Sequence, residues 1–273
     1  MLRAFFFFLI LLGLLLRWPL GGASPHEGDF DLGVARYPEA AGTGEGPAAR
    51  TSIHLWRAAP RAPLDRIGYA YGLSAAEALE ADHARLGARF GFRRGRGDRF
   101  HWDLPAECVG REWGCIYAAI RERDHPDLEP LLDRIAQTAV TRAKEERWSA
   151  REVAGWLLSF VQAIPYRIPH ESAFGVLPPP LVVSRSQGDC DSKSLLLMDL
   201  LDRVGIDSVL LISEAHAHAM VGVGVAAGVG ARDRVRDGGR EWAWAETTAE
   251  DAPLGWRHPQ MRLPDDWRVV RLR

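Results

Sequence analysis

Cysteine is scarce in this chain, with three in 273 residues. So low a count excludes a fold stapled by a dense disulfide framework, and the absence of C-x-x-C pairs excludes the commonest structural zinc sites. An excess of one charge is also missing. The formal net charge is -2 and the pI about 6.5, so no global basic field exists to hold nucleic acid. The short basic stretch of Arg93, Arg94, Arg96 and Arg99 is interleaved with glycine and reads as a solvated turn. A membrane-length apolar run is lacking too. The run from Ala4 to Leu16 falls short of the ~20 residues that a spanning helix needs. No internal repeat is visible. What remains is an ordinary globular composition, 47% hydrophobic and 26% charged, in a chain long enough for one large domain or two small ones.

Arg3, the apolar run 4–16 with its four consecutive phenylalanines, and the small residues Gly21, Gly22 and Ala23 together make a secretory signal over residues 1–23. An uncleaved membrane anchor is the alternative. Both put the folded part outside the cytoplasm, in a periplasmic or extracellular setting. In an oxidising compartment the neighbours Cys108 and Cys115 are expected to pair. Cys190 is then the odd thiol, a candidate for reactivity, with a buried and inert cysteine as the plain alternative.

Residues 24–62 are rich in glycine, alanine and proline and predict extended or loosely ordered chain. Ser74 and Glu77 have capping-box spacing ahead of a helix over about 75–87. Residues 88–120 are glycine-broken and predict strands. Helical spacing begins at Asp127, with Leu128, Leu131, Leu132, Ile135 and Ala139. A second capping box, Ser149 and Glu152, opens a strongly apolar face of Val153, Trp156, Leu157, Phe160, Val161 and Ile164, which Pro165 ends. A proline-broken loop is expected over 169–180. The organisation predicted is an N-terminal region, 24–125, and a catalytic domain, 126–273.

The informative block is Gln187-Gly188-Asp189-Cys190-Asp191-Ser192-Lys193-Ser194, which opens a leucine-rich helix closed by Gly205. Cys190 therefore lies at a helix N-terminus, where the positive end of the peptide dipoles favours thiolate. Asp189 and Asp191 are expected to cap the helix and to point away, because like charges beside a thiolate raise its pKa. An apolar strand over 206–212 follows. A second strand is entered by His216 and His218, which would share one face. A loop is expected over 226–240, then a third strand over 241–248 with Trp242, Trp244 and Glu246 on one face. Cysteine, histidine and carboxylate thus occur in the order that a nucleophile, its base and an orienting acceptor require.

These residues carry a resemblance. From about 149 to 256 the chain looks like the transglutaminase-like superfamily, in particular its microbial cysteine peptidases. The matching features are Ile164-Pro165-Tyr166, Gly188-Asp189-Cys190-Asp191, Val204-Gly205-Ile206, the strand from His218 to Val223, and Ala245-Glu246-Thr247-Thr248. The resemblance implies a papain-like α+β fold and acyl transfer through a thioester. It makes Cys190 the nucleophile, His218 the base and Glu246, where the family commonly has aspartate, the residue orienting the imidazole. Chemistry alone does not settle which histidine acts; the register of the following Val-Gly-Val favours His218, leaving His216 as a surface residue or a partner that supports the site from outside. The Cys190 amide and, more weakly, the Gln187 side chain would hold the oxyanion. A catalytically inert binding or scaffold module of the cell envelope is the alternative.

Cys190, His216 and His218 are metal-ligating types but lack paired ligand spacing, so no metal or cofactor is expected. The export reading points to protein, peptide or cell-wall peptide as substrate. Hydrolysis is favoured over cross-linking, because no acyl-acceptor site is legible.

Overall fold

A computed structural model describes residues 49–59, 62–95, 100–225, 234–261 and 266–272. Two compact units divide the chain. Met1–Pro38 lies outside the described residues, and with it the apolar run and the small residues of the expected signal; everything described belongs to Glu39–Arg273. No helix among the described residues is long and apolar enough to cross a membrane.

Among the described residues the unit is mixed α+β, with six helices and antiparallel sheets. It opens with a hairpin, β1 (Ala49–Arg57) and β2 (Leu64–Gly72). Alternation along β2 turns Ile67, Tyr69 and Tyr71 inward. The polar tips of the aromatics find partners as they are buried: Trp56 Nε1 donates to Ser159 Oγ at 3.1 Å, and the Tyr71 hydroxyl to the Ser184 carbonyl at 2.6 Å. Helix α1 (Leu73–Arg89) follows, then the two-residue strands β3 (Arg93–Arg94) and β4 (Phe100–His101), and helices α2 (Glu112–Arg121) and α3 (Glu129–Glu146).

Helix α4 (Ala150–Ala163) forms as its signals require. The Glu152 amide donates to Ser149 Oγ, and the Ser149 amide donates to the Glu152 carboxylate at 2.7 Å. The helix stops before Pro165, with Ile164 as its last cap. After the short helix α5 (Pro179–Arg185) comes α6 (Cys190–Arg203), whose Asp189 cap accepts from the Ser192 amide at 3.0 Å. Gly205 just beyond α6 has φ +75°, a left-handed conformation that glycine adopts without strain.

The main sheet contains β5 (Ser208–Ser213), β6 (His218–Val223), β7 (Arg234–Asp237), β8 (Arg240–Ala245) and β9 (Arg268–Val270), all antiparallel in the order β7-β8-β6-β5-β9. Helix α6 packs on β5 and β6. Leu210, Ile212, Ala219, Val221 and Ala245 face the helices, while Val209, Leu211, Met220, Trp242 and Trp244 join Trp267 in a second cluster. At Gly222 an added Cβ would lie 2.7 Å from Val209 and 3.0 Å from Trp242, so the tryptophan-bearing strand approaches only a glycine there. Leu195, Leu196, Leu197, Leu200 and Leu201 are all fully buried. Each contributes about 1.5–3 kcal/mol by leaving water, which fixes the helix carrying Cys190 against the sheet.

Several expectations are corrected. Helix α1 starts at Leu73, one residue before Ser74, with Gly72 as a cap that has no side chain to accept a bond. The stretch 88–120 is not mainly strand: its two strands are two residues long, and α2 occupies its end. Trp113, Ile116, Tyr117 and Ile120 carry helical spacing that the flanking glycines obscure. The proline-rich stretch ends in α5, because Pro179 and Pro180 sit in a first helical turn that needs no amide donors. The expected loop 226–240 contains β7, and its residues 226–233 lie outside the described residues.

Cys108 and Cys115 form a disulfide, and Cys190 is free and buried. A thiol titration of the unfolded, unreduced protein should therefore find one free thiol. Selective reduction should lower unfolding stability by roughly 2–3 kcal/mol, from the small loop released; an unchanged denaturation midpoint would show that the crosslink is not formed.

Candidate active site

Cys190 sits in the first turn of α6, where the opening amides have no carbonyl of their own helix to serve. Its sulfur is buried and accepts from the backbone N–H of Ala219. Ala219 follows His218, the first residue of β6. The strand thus presents its amide to the thiol and the imidazole beside it. His218 Nε2 bonds Glu246 Oε2 at 2.8 Å, just beyond the end of β8. With Nε2–H directed at the carboxylate, Nδ1 is the nitrogen left to take a proton from a neighbour.

Glu246 is itself immobilised. Its second oxygen accepts from the Thr248 amide at 2.8 Å and the Thr248 hydroxyl at 2.6 Å. Gln162, at the end of α4, donates its side-chain amide to the Glu246 carbonyl at 2.8 Å and to the Ala252 carbonyl at 2.9 Å. Burial pushes the Glu246 carboxyl up, but the charge and hydrogen bond of His218, with the Thr248 donors, bring it below its ordinary value. Burial likewise disfavours the imidazolium, yet Glu246, with Asp191 and Asp189 behind it, raises His218 above the ordinary range.

The two aspartates do not point away from the sulfur, contrary to expectation. Carboxylate oxygens of Asp189 and Asp191 and the Cys190 sulfur all lie within 4.8 Å of one another. Capping holds Asp189 there, through Ser192, and the Tyr117 hydroxyl holds Asp191 at 2.9 Å. Burial raises both acids, and the Asp191 charge raises Asp189 further, to about 7. Burial, then Asp191 and Asp189, also pushes the Cys190 thiol well up, against the smaller pull of the Ala219 amide. The predicted lowering by the helix terminus is therefore outweighed, and the resting sulfur is a thiol.

The other candidates separate. His216 is not on the strand: it lies in the turn before β6, where Ala217 has φ +46°, and its Nε2 is 3.2 Å from Asp266. Both histidine rings pack against Trp267. Gln187 is half-buried three residues before Cys190, with its side-chain oxygen 3.5 Å from Arg167 Nη1. Two further residues lie at the site, Tyr166, which the sequence shows only as part of a motif, and Lys193, whose role the sequence does not show. Tyr166 is bridged in parallel to Gly188 and half exposed, and partial burial with the surrounding acids raises its hydroxyl. Lys193 is buried to 1% exposure within α6. Its signal is periodicity, since it stands three and four residues before the buried Leu196 and Leu197 on one helix stripe.

Comparison with protein families, curated proteins and solved structures finds no match for the chain.

The His218–Glu246 pair predicts a pH signature. Glu246, lowered on folding, stabilises above its unfolded value of 4.5, and this is lost as pH falls through the folded value. His218, raised on folding, stabilises below its unfolded value of 6.5, and this is lost as pH rises through the folded value. Glu246→Gln should cost most stability between about pH 4.5 and 6.5. It should also move the His218 imidazole titration, followed by NMR, downward. An unmoved titration would show that the two groups are not paired.

Proposed function

We propose that the chain is an exported cysteine-dependent acyl-transfer enzyme that hydrolyses peptide or amide bonds through Cys190, His218 and Glu246. The observation that carries this reading is the buried 2.8 Å His218–Glu246 pair, set on the strand whose next amide touches the Cys190 sulfur. A leucine-rich helix bearing the cysteine and packed on an antiparallel sheet is consistent with a papain-like, transglutaminase-like core. The Cys108–Cys115 disulfide supports an oxidising, extracytoplasmic location. Protein, peptide or cell-wall peptide is the proposed substrate.

The chemistry follows from the arrangement. His218 Nδ1 takes the thiol proton as the sulfur attacks the substrate carbonyl, and Glu246 stabilises the imidazolium that forms. The carbonyl oxygen becomes negative and meets the Cys190 amide, with the Gln187 side chain as second donor. The intermediate collapses to a thioester as the leaving amine takes the proton from His218. Water, deprotonated by the same imidazole, then attacks the thioester; the acid is released and the sulfur recovers its proton. Because the resting sulfur is a thiol, proton transfer accompanies attack.

One observation favours a second reading. Two carboxylates beside a buried thiol disfavour the thiolate, as a non-catalytic peptide-binding module would tolerate. Incubating exported peptides and peptidoglycan fragments with wild type and with Cys190→Ala, read by mass spectrometry, separates the two. Cleaved amides should appear with wild type alone, and His218→Ala should reduce turnover by about 10²–10⁴-fold. Identical product sets for wild type and Cys190→Ala would favour the binding module.

A further inference from the structure

Only two residues of this arginine-rich chain are lysines, Lys144 and Lys193. Lys144 is exposed on α3, whereas Lys193 lies inside the protein, one helical turn after Cys190. Its ammonium donates to the carbonyl of Gln162 at 3.1 Å and to that of Ile164 at 2.8 Å. Those carbonyls belong to the end of α4, whose last carbonyls have no intrahelical donor. Gln162 is also the residue whose side chain holds the Glu246 carbonyl. One lysine and one glutamine thus connect the cysteine helix, the end of α4 and the segment carrying the orienting carboxylate. Gly188 lets the lysine stem pass: an added Cβ there would lie 3.3 Å from Lys193 Cγ.

A buried ammonium is costly unless nearby negative charge and acceptors offset its lost hydration. Glu246 and Glu250 supply negative charge near Lys193. Around the sulfur are Asp189 and Asp191 at the start of α6, Glu246 beyond β8, and the hydroxyls of Tyr117 and Tyr166, with His218 on β6 paired to Glu246. Among these charged groups Lys193 is the one buried cation that does not exchange protons in the proposed reaction.

We propose that Lys193 is a positioning residue for this chemistry: its ammonium locks the cysteine helix to the Gln162 segment that holds Glu246, and it supplies the fixed positive charge that makes ionisation of Cys190 accessible among three carboxylates. The proposal rests on the acyl-transfer reading of the same site. Burial draws the Lys193 ammonium down to about 8, so it keeps its charge at neutral pH and loses it in mildly alkaline solution.

The test is the pH profile of Cys190 alkylation by iodoacetamide, followed by intact mass. Lys193→Met, which keeps an unbranched chain without charge, should alkylate about tenfold more slowly at pH 7, with its profile displaced to higher pH. Lys144→Met and Leu196→Ala, the latter a core truncation on the same helix, should keep the wild-type profile. A wild-type profile in folded Lys193→Met would overturn the proposal. If that variant does not fold, lysine-selective NMR of the wild-type protein decides, because its two lysines give two side-chain signals. Lys193 must be a charged, solvent-protected ammonium at pH 7; a neutral amine there would overturn the proposal. These outcomes are independent of whether an amide is cleaved, so failure of the hydrolase reading remains distinguishable.

Discussion

A carboxylate at 3% exposure must have partners for both oxygens, and Glu246 has them in His218 and Thr248. The His218–Glu246 bond is the constraint around which the rest of the site is arranged. It fixes the ring's tautomer and directs Nδ1 away from the carboxylate. It also offsets the cost of burying an acid at the end of a sheet. Removing either partner would leave the other buried with its charge uncompensated, which costs more than the pair gains.

The fold delivers the two partners from separate strands. His218 opens β6 and Glu246 follows the end of its neighbour β8, so register between the two strands sets their separation. The cysteine arrives from the other layer, on a helix whose leucines leave it little freedom to shift. Gln162 and Lys193 close the remaining gap between helix and strand with bonds to backbone carbonyls. Such bonds resist displacement without introducing another titrating carboxylate.

Much of this was legible in the sequence, for physical reasons. The Ser149–Glu152 capping box and the leucine stripe of α6 are local signals that tertiary structure does not override. Of the cysteine–histidine–carboxylate order, the structure pairs His218 with Glu246 directly and brings the Cys190 sulfur to the amide of the residue after His218. The electrostatics were not legible. A helix terminus predicts a lowered thiol, but whether flanking acids face the sulfur depends on Ser192 and on Tyr117, which lies 74 positions before Asp191. Lys193 was easily missed because a lysine in a helix ordinarily reads as solvated; its place on the leucine stripe hints at burial, but only packing shows the carbonyls it meets. His216 shares its parity with His218, yet a left-handed turn at Ala217 takes it off the strand.

The resulting site holds a buried thiol at the Ala219 amide and a strongly paired imidazole one residue before that amide, in surroundings rich in negative charge. In the proposed reaction His218 serves as the base, which would give such a thiol reactivity that a merely buried cysteine lacks. The most direct test is the rate of carboxamidomethylation of Cys190 at pH 7 in wild type and in His218→Ala, relative to a free model thiol. The account predicts that wild-type Cys190 reacts faster than the model thiol and that His218→Ala removes the advantage. Equal rates in wild type and variant would contradict it.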